Sequence, residues 1–233
     1  MFGFFRNKID KFFHKKYNVL IFGGHQLNYA ITKKIKESPF LNNLYVANAS
    51  EAMKKIAINI PFNNEALVEE AKRLKIDILI CNDVANIQGI IDTFKENGIF
   101  CFGVNKKWTM LEASKHIGKL FVEMHNIRHP KYNILEENDD IYKYLNNYSY
   151  PIVVKANGYA RGTGVYICHT EADLLKRVDD IRKHRIKTSN KKIIIEEFIK
   201  GKEISFMQFW DGKNLLSFPP VKDFKKWSPK YYC

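Results

Sequence analysis

Pro151–Val165 reads PIVVKANGYARGTGV, and Lys192–Phe206, further along the same region, reads KIIIEEFIKGKEISF. In the first stretch the β-branched run Ile152–Val154 has the make-up of a buried strand, and Lys155 stands near its end. Gly158, Gly162 and Gly164 then punctuate a loop that leads into the apolar run Val165–Cys168. Glycines let backbone N–H groups approach phosphate oxygens, and a lysine fixed on the preceding strand neutralises those oxygens from one direction. The pattern is not the Walker loop, which places Gly-Lys-Ser/Thr directly before a helix. A glycine-rich hairpin with a purely structural role remains the alternative. In the second stretch Ile193–Ile195 predicts a buried strand running out into Glu196 and Glu197, with Phe198, Ile199 and Glu203 beyond. Carboxylates and backbone carbonyls accept hydrogen bonds from a purine amino group and ribose hydroxyls, and Phe198 and Ile199 offer an apolar wall. Taken alone, the same carboxylates read as a strand end facing solvent.

Outward from these stretches the pattern stays regular. Toward the N-terminus, apolar runs at Asn18–Phe22, Leu44–Val46, Asp77–Cys81 and Ile99–Phe102 alternate with helical patterns ending at Lys36 and covering Glu65–Leu74 and Ile87–Glu96. Such alternation specifies a parallel sheet with crossover helices, so residues 18–104 are expected to form a Rossmann-like open α/β domain. Sheets of this kind bind ligands at the carboxyl ends of their strands, where the first glycine turn meets a helix N-terminus. Gly23 and Gly24 occupy that place. A turn leaving a first strand needs glycine for backbone geometry at least as often as for a ligand.

From residue 105 a second domain of α+β type is expected. Thr109–Ser114 opens it, His116–His125 has helical character, and Pro130 marks a break. Asp139–Leu145 and Glu171–Arg182 read as helices, Pro151–Ala156 and Val165–Cys168 as strands. Ser205–Trp210 and Leu215–Phe218 flank Asp211-Gly212, a strong hairpin signal.

Composition narrows the function classes. The net charge of +13 invites a polyanion partner, yet the basic residues are spread along the chain, from Lys33–Lys36 to Lys222–Lys230, not gathered in one stripe with interleaved aromatics. This argues against nucleic acid. No apolar run reaches the length of a membrane span. Cys81, Cys101, Cys168 and Cys233 are scattered, with neither metal-ligand spacing nor a disulfide pattern, which fits a reducing cytoplasm. Residues 1–17 form a basic and aromatic extension in which Phe2, Phe5, Ile9, Phe12 and Phe13 fall near helical spacing. They are expected to dock as a helix on the following domain, with weak contact to an anionic membrane surface as the alternative.

The lysine and glycine loop, the Glu196–Glu203 segment, LEASK at Leu111–Lys115 and VKDFKK at Val221–Lys226 occur in a shared order. Together they resemble the phosphoribosylamine–glycine ligase family of ATP-grasp enzymes, from Asn18 onward and most strongly between Leu111 and Phe206. The resemblance implies a pre-ATP-grasp domain over residues 18–104 and the N-terminal part of an ATP-grasp domain over residues 105–233. It also implies a purine-biosynthesis ligase that activates a carboxylate as acyl phosphate for attack by an amine, with ATP and Mg²⁺ as cofactors. Lys115 and Lys155 would contact the ATP phosphates or adenine edge. The loop from Gly158 through Arg161, Gly162 and Thr163 to Gly164 would close over the triphosphate. Glu196, Glu197, Phe198 and Ile199 would line the adenine pocket, and Glu203 would take the ribose hydroxyls. Gly23, Asp83, Asp223 and Lys225 match positions nearer the small carboxylate and amine substrates.

Departures from the family fall at the first turn and in the loop. The chain reads GGHQLNYA from Gly23 to Ala30 where the family continues into Arg-Glu-His, ANASEA from Ala47 where it has Pro-Gly-Asn, and CND from Cys81 where it has Gly-Pro-Glu. Thr163 stands where the family has a lysine, with Arg161 two positions earlier as a substitute charge. The family's Mg²⁺-binding Glu and Asn and its last domain fall beyond the equivalent of Cys233. The expectation is therefore a chain that binds ATP and does not ligate by itself, with no catalytic residue assigned within it. It would be either half of a two-chain ligase, completed by a second chain, or an inactive nucleotide-binding module.

Overall fold

The computed structural model describes residues 15–61, 66–81, 83–158, 164–183, 185 and 191–223, with only the backbone of 83–85. The basic aromatic extension, apart from its last residues, lies outside them. Strand β1 (Tyr17–Phe22) is buried from Val19 onward. Its alternate side chains enter different layers: Leu20 and Phe22 pack with Leu79, Ile91 and Phe94, whereas Val19 and Ile21 pack with Leu44, Val46 and Met53. A strand covered on both faces has to be apolar at every position, which is why NVLIF reads as a continuous run. Helix α1 (Gln26–Lys36) returns the chain to β2 (Leu41–Ala47), and the short α2 (Glu51–Lys54) leads to β3 (Ile58–Ile60). Helix α3 (Leu67–Arg73) precedes β4 (Ile78–Cys81), and α4 (Ile90–Glu96) precedes β5 (Phe100–Phe102). All five strands are parallel, in the order β3-β2-β1-β4-β5.

The expected helix over Ile87–Glu96 is divided. A 3₁₀ turn covers Asp83–Gln88, and Gly89, at φ +84°, resets the backbone before α4 starts. A left-handed residue cannot continue an α-helix, and glycine adopts that conformation without strain.

Helices α5 (Lys106–Ala113) and α6 (Lys115–Met124) lead into a second, antiparallel sheet. It consists of β6 (Tyr132–Leu135), β7 (Ile152–Ala156), β8 (Val165–Cys168) and β9 (Ile193–Glu197), in the order β6-β9-β7-β8. Between β6 and β7 lies α7 (Tyr142–Leu145), and between β8 and β9 lies α8 (Glu171–Arg182). One face of the sheet, with Leu135, Ile152, Val154, Cys168, Ile193 and Ile195, packs on Leu174, Val178 and Ile181 of α8. Those three helix positions recur at the i, i+4, i+7 spacing of a buried stripe.

Two further expectations need correction. Asp139–Leu145 is helical only over Tyr142–Leu145, because Asp139 accepts from the Glu136 amide and Asp140 from the Tyr142 amide. Aspartates that hold nearby amides favour turns over helix starts. Glu196 and Glu197 do not follow the strand but belong to it, as the last two residues of β9.

Beyond β9, β10 (Ile204–Ser205) pairs with β13 (Val221–Lys222), and β11 (Gln208–Trp210) with β12 (Leu215–Ser217). The second pair is the expected hairpin. Asp211 organises its turn by accepting from the amides of Lys213 and Asn214 and from the Asn214 side chain, which holds its carboxyl down at about 2. Phe209 joins the hairpin to both Phe102 at the edge of the first sheet and Phe218, through T-shaped ring contacts at 5.4 and 4.8 Å. Among the described residues no helix is long and apolar enough to cross a membrane.

Candidate functional site

The register of the second sheet sorts its side chains. Glu196 stands opposite Tyr132 on β6 and Val153 on β7, and Lys155 stands opposite Ile194. Directly paired residues and those two apart share a face, so Tyr132, Val153, Lys155, Ile194 and Glu196 lie together, away from α8. Val165 and Ile167 of β8 join them and are about half exposed.

Glu196 is 2% exposed. The ammonium of Lys155 pairs with its Oε2, and Lys119 Nζ of α6 lies 2.9 Å from Oε1. Their side chains are 25% and 13% exposed respectively, so the cluster is largely withdrawn from water. Oε1 is buried and accepts no hydrogen bond, so the Lys119 contact is an ion pair alone. Lys119 also lies 5.1 Å from the centroid of the Tyr132 ring, whose hydroxyl donates to Glu123 at 2.6 Å. Burial, and then the Glu123 carboxylate, push the Tyr132 phenol up to about 12, so it stays a donor at neutral pH.

Ser114 and Lys115 fasten α6 to the start of the glycine-rich loop. Ser114 Oγ accepts from the Ile117 amide as the N-cap, and Asn157 Oδ1 accepts from the His116 amide at 3.0 Å. Lys115 Nζ donates to the Gly158 carbonyl at 2.9 Å. Burial first, and the charge of Lys155 second, push the Lys115 amine below its ordinary value, with Glu196 acting the other way. Two ammonium groups thus contact one buried carboxylate, and a third, that of Lys115, lies near enough to feel its charge. Such an excess of positive charge at the rim of a half-open apolar face suits a polyanion with an aromatic or apolar head.

The remaining expected positions separate. Glu197 faces the other side of the sheet, where Oε1 accepts from the Lys131 amide at 2.8 Å, so its carboxylate fixes the start of β6. Phe198 and Ile199 follow β9 and are partly and largely exposed. Glu203 is exposed, and its carbonyl accepts from the Asp223 amide at 3.0 Å, which brings these two residues together. Gly164, at the far side of the loop, accepts through its carbonyl from the Ala156 amide. Arg161, Gly162, Thr163 and Lys225 lie outside the described residues, as does the side chain of Asp83.

Gly23 has φ +114°, and a Cβ there would come within 2.5 Å of the Asn28 side chain. The turn after β1 therefore requires it for packing, whatever binds nearby. Among the described residues no three His, Cys, Asp or Glu side chains converge as a metal site.

Lys119, Tyr132 and Asn157 were not singled out by sequence reasoning. The signal for Lys119 was its placement four residues after Lys115, on the same face of one helix. Nothing in the sequence marked Tyr132 as its neighbour.

Residues 17–112 match the family model of the phosphoribosylglycinamide synthetase N domain, and residues 113–229 that of its ATP-grasp (A) domain. The phosphoribosylamine–glycine ligase of Fusobacterium nucleatum is 32% identical over 218 residues, which are 91% of this chain and 51% of that protein. The chain thus spans about half the length of the curated relatives it matches. Among solved structures, phosphoribosylamine–glycine ligase from Thermotoga maritima aligns with a TM-score of 0.71 at 24% identity, over 87% of this chain and 49% of that one. N5-carboxyaminoimidazole synthetase from Staphylococcus aureus, complexed with ADP, aligns with a TM-score of 0.70 at 18% identity, over 90% and 56%. At those identities the two structures establish a shared fold.

Proposed function

Because the chain belongs to the phosphoribosylglycinamide synthetase family, with both its N domain and its ATP-grasp domain present, we propose that it binds ATP on the open face of the second sheet. The observation that carries this reading is the cluster of Lys115, Lys119 and Lys155 around the buried Glu196, beside the loop that begins at Gly158. Lys115 and Lys155 hold phosphate oxygens; Glu196 and the backbone at Phe198 and Ile199 read the base; Glu203 takes the ribose. The ADP bound to a structural neighbour of the same fold supports the ligand class.

The reaction this half-site serves is ligation of a carboxylate to an amine in purine biosynthesis, in the cytoplasm, where the buried Cys101 and Cys168 keep free thiols. ATP supplies the phosphoryl group that activates the carboxylate. Asp223 and Lys225 lie toward the acceptor. The described residues do not fit Mg²⁺, which needs several oxygen ligands, and no step here is assigned to it.

Titration calorimetry tests the ATP site. Lys155→Ala should weaken ATP binding by about 1.5–3 kcal/mol, the range for a lost charge-assisted hydrogen bond. Equal affinity of parent and variant at fixed salt would return Lys155 to a structural strand-end lysine. In an assay coupling ADP release to product, the 233-residue chain supplied with glycine, phosphoribosylamine and Mg²⁺ should give no glycinamide product. Turnover above the uncatalysed rate would assign complete ligase activity to this chain.

A further inference from the structure

We propose that the amino-terminal edge of the parallel sheet, together with the basic aromatic segment of residues 1–16 that enters β1 there, binds the surface of an anionic lipid bilayer. This surface is separate from the ATP site and does not rest on it.

The topology gathers charge at that edge. In a parallel sheet each crossover helix runs back against its strands, so the last turns of the helices and the starts of the strands lie together. The last turn of α1 carries Lys33, Lys34 and Lys36, that of α3 Lys72 and Arg73, and that of α4 Lys95. Lys15 and Lys75 meet at the same place, where the Asn18 side chain donates to the carbonyls of Leu74 and Lys75 and Lys15 lies 3.1 Å from Asp77. Lys34, Lys72 and Arg73 are paired with nearby glutamates. Lys33, Lys36, Lys75 and Lys95 are exposed and make no ion pair among the described residues. Two of the local acids, Glu37 and Asp77, are held by Lys34 and Lys15, so the edge keeps a positive excess despite Glu96. Phe40, Ile58 and Phe100, at or just before the starts of β2, β3 and β5, add exposed apolar side chains between these lysines.

Lysine in the last turn of a helix complements the helix dipole, and that accounts for each of these residues singly. It does not account for the segment joined to β1 at the same edge. Residues 1–16 read MFGFFRNKIDKFFHKK, in which Phe2, Phe5, Ile9, Phe12 and Phe13 recur at the spacing of one helical face, and Arg6, Lys8, Lys11, Lys15 and Lys16 stand against the single Asp10. Phenyl rings on one face and basic residues around it are the composition of a segment that lies in the headgroup region of a bilayer.

Charge decides between the two partners this segment has. Docked on the domain it follows, it would set its own lysines against a lysine-rich edge and lose by repulsion part of what its rings gain. Against an anionic bilayer, segment and edge are attracted together, and each lysine adds to the binding. The rest of the molecule leaves room for this. The chain passes from the carboxyl end of β5, at Phe102, to α5 and the second sheet, so the amino-terminal edge is the one to which the second domain is not attached.

Vesicle sedimentation of the intact 233-residue chain tests the proposal, with vesicles of phosphatidylcholine alone and of phosphatidylcholine with about 30% phosphatidylserine. The parent should bind the second about tenfold or more tightly than the first, and raising salt from about 0.1 to about 0.5 M should weaken that binding. Phe5→Ser combined with Phe12→Ser should lower affinity about tenfold or more. Lys33→Gln, Lys36→Gln and Lys75→Gln together should lower it about threefold or more at an unchanged thermal midpoint. Phe5→Trp, measured as its emission difference from the parent, should shift to the blue only when phosphatidylserine vesicles are added, and it decides the question if the double serine variant does not fold. Absence of binding to phosphatidylserine vesicles overturns the proposal, as does full binding by the serine variant, which would reduce it to plain charge attraction. Full binding by the triple glutamine variant removes the sheet edge from the surface. A blue-shifted Phe5→Trp without vesicles, with a lowered thermal midpoint in the serine variant, means that the segment docks on its own chain. Tighter binding of a duplex RNA than of vesicles, equal in parent and serine variant, assigns the charge to nucleic acid instead.

Discussion

At Lys115, burial and the neighbouring Lys155 ammonium both favour the neutral amine. A polyphosphate arriving beside it reverses that balance, so ATP binding should take up protons in the alkaline range where the free chain has begun to release this one. Calorimetry at about pH 9 in two buffers of unlike ionisation enthalpy should show the uptake, and Lys115→Met should abolish it. The sign for folding follows from the same shift. A lysine depressed in the folded state costs stability while charged, and that cost is relieved as pH rises from its folded pKa toward 10.5. Glu196 has the opposite character, since two largely buried ammonium groups depend on it. Glu196→Ala should destabilise the chain by about 3–5 kcal/mol, the cost of stranding buried charge, read as a lower urea midpoint at unchanged m. Lys155 and Glu196 could both be found in the sequence because each ends an apolar strand run. Lys119 could not, since its role exists only once β6 lies beside β9 and carries Tyr132 to it.

The joint between α5 and α6 shows how an element sets the site. Gly118 lies one turn into α6, and a Cβ there would fall 2.7 Å from the Leu111 carbonyl of α5. Gly118→Ala should force the helices apart, cost about 1–3 kcal/mol, and weaken ATP binding through Lys115 and Lys119. Gly201, where an added Cβ meets nothing within 4 Å, supplies the control: Gly201→Ala should leave thermal midpoint and affinity unchanged. Elements with long apolar periodicity were legible in the sequence, β1 and α8 above all. α2, with four residues, and β3, with three, are too short to show a period and are held by the layers they enter. β6 escaped notice for a different reason. Its residues YNIL alternate weakly, and it is a strand because β9 supplies its ladder.

Over the whole molecule, apolar surface is distributed unevenly. Phe206, Met207, Phe209, Trp210, Leu215 and Leu216 are each half or more exposed, as is Met124 on α6. Contiguous apolar surface of this kind marks a contact region. Register places Trp210 beside Leu215 on one face of the hairpin, whereas Phe209, which packs on Phe102 and Phe218, shares the other with Leu216. Trp210→Ser combined with Leu215→Ser should therefore reduce hydrophobic-dye fluorescence and light scattering of the isolated chain, with ATP affinity unchanged. The antiparallel sheet carries a consequence for biosynthesis. β9 is the last of its four strands to be made, yet it occupies an interior position, and among the described residues β6 pairs with it alone. On the ribosome, the parallel sheet can assemble first, and β7 can pair with β8, while β6 waits. The arrival of Ile193–Glu197 closes the sheet and delivers Glu196 to its lysines in a single event. A nascent chain arrested before Lys192 would hold every lysine of the cluster and still have no site.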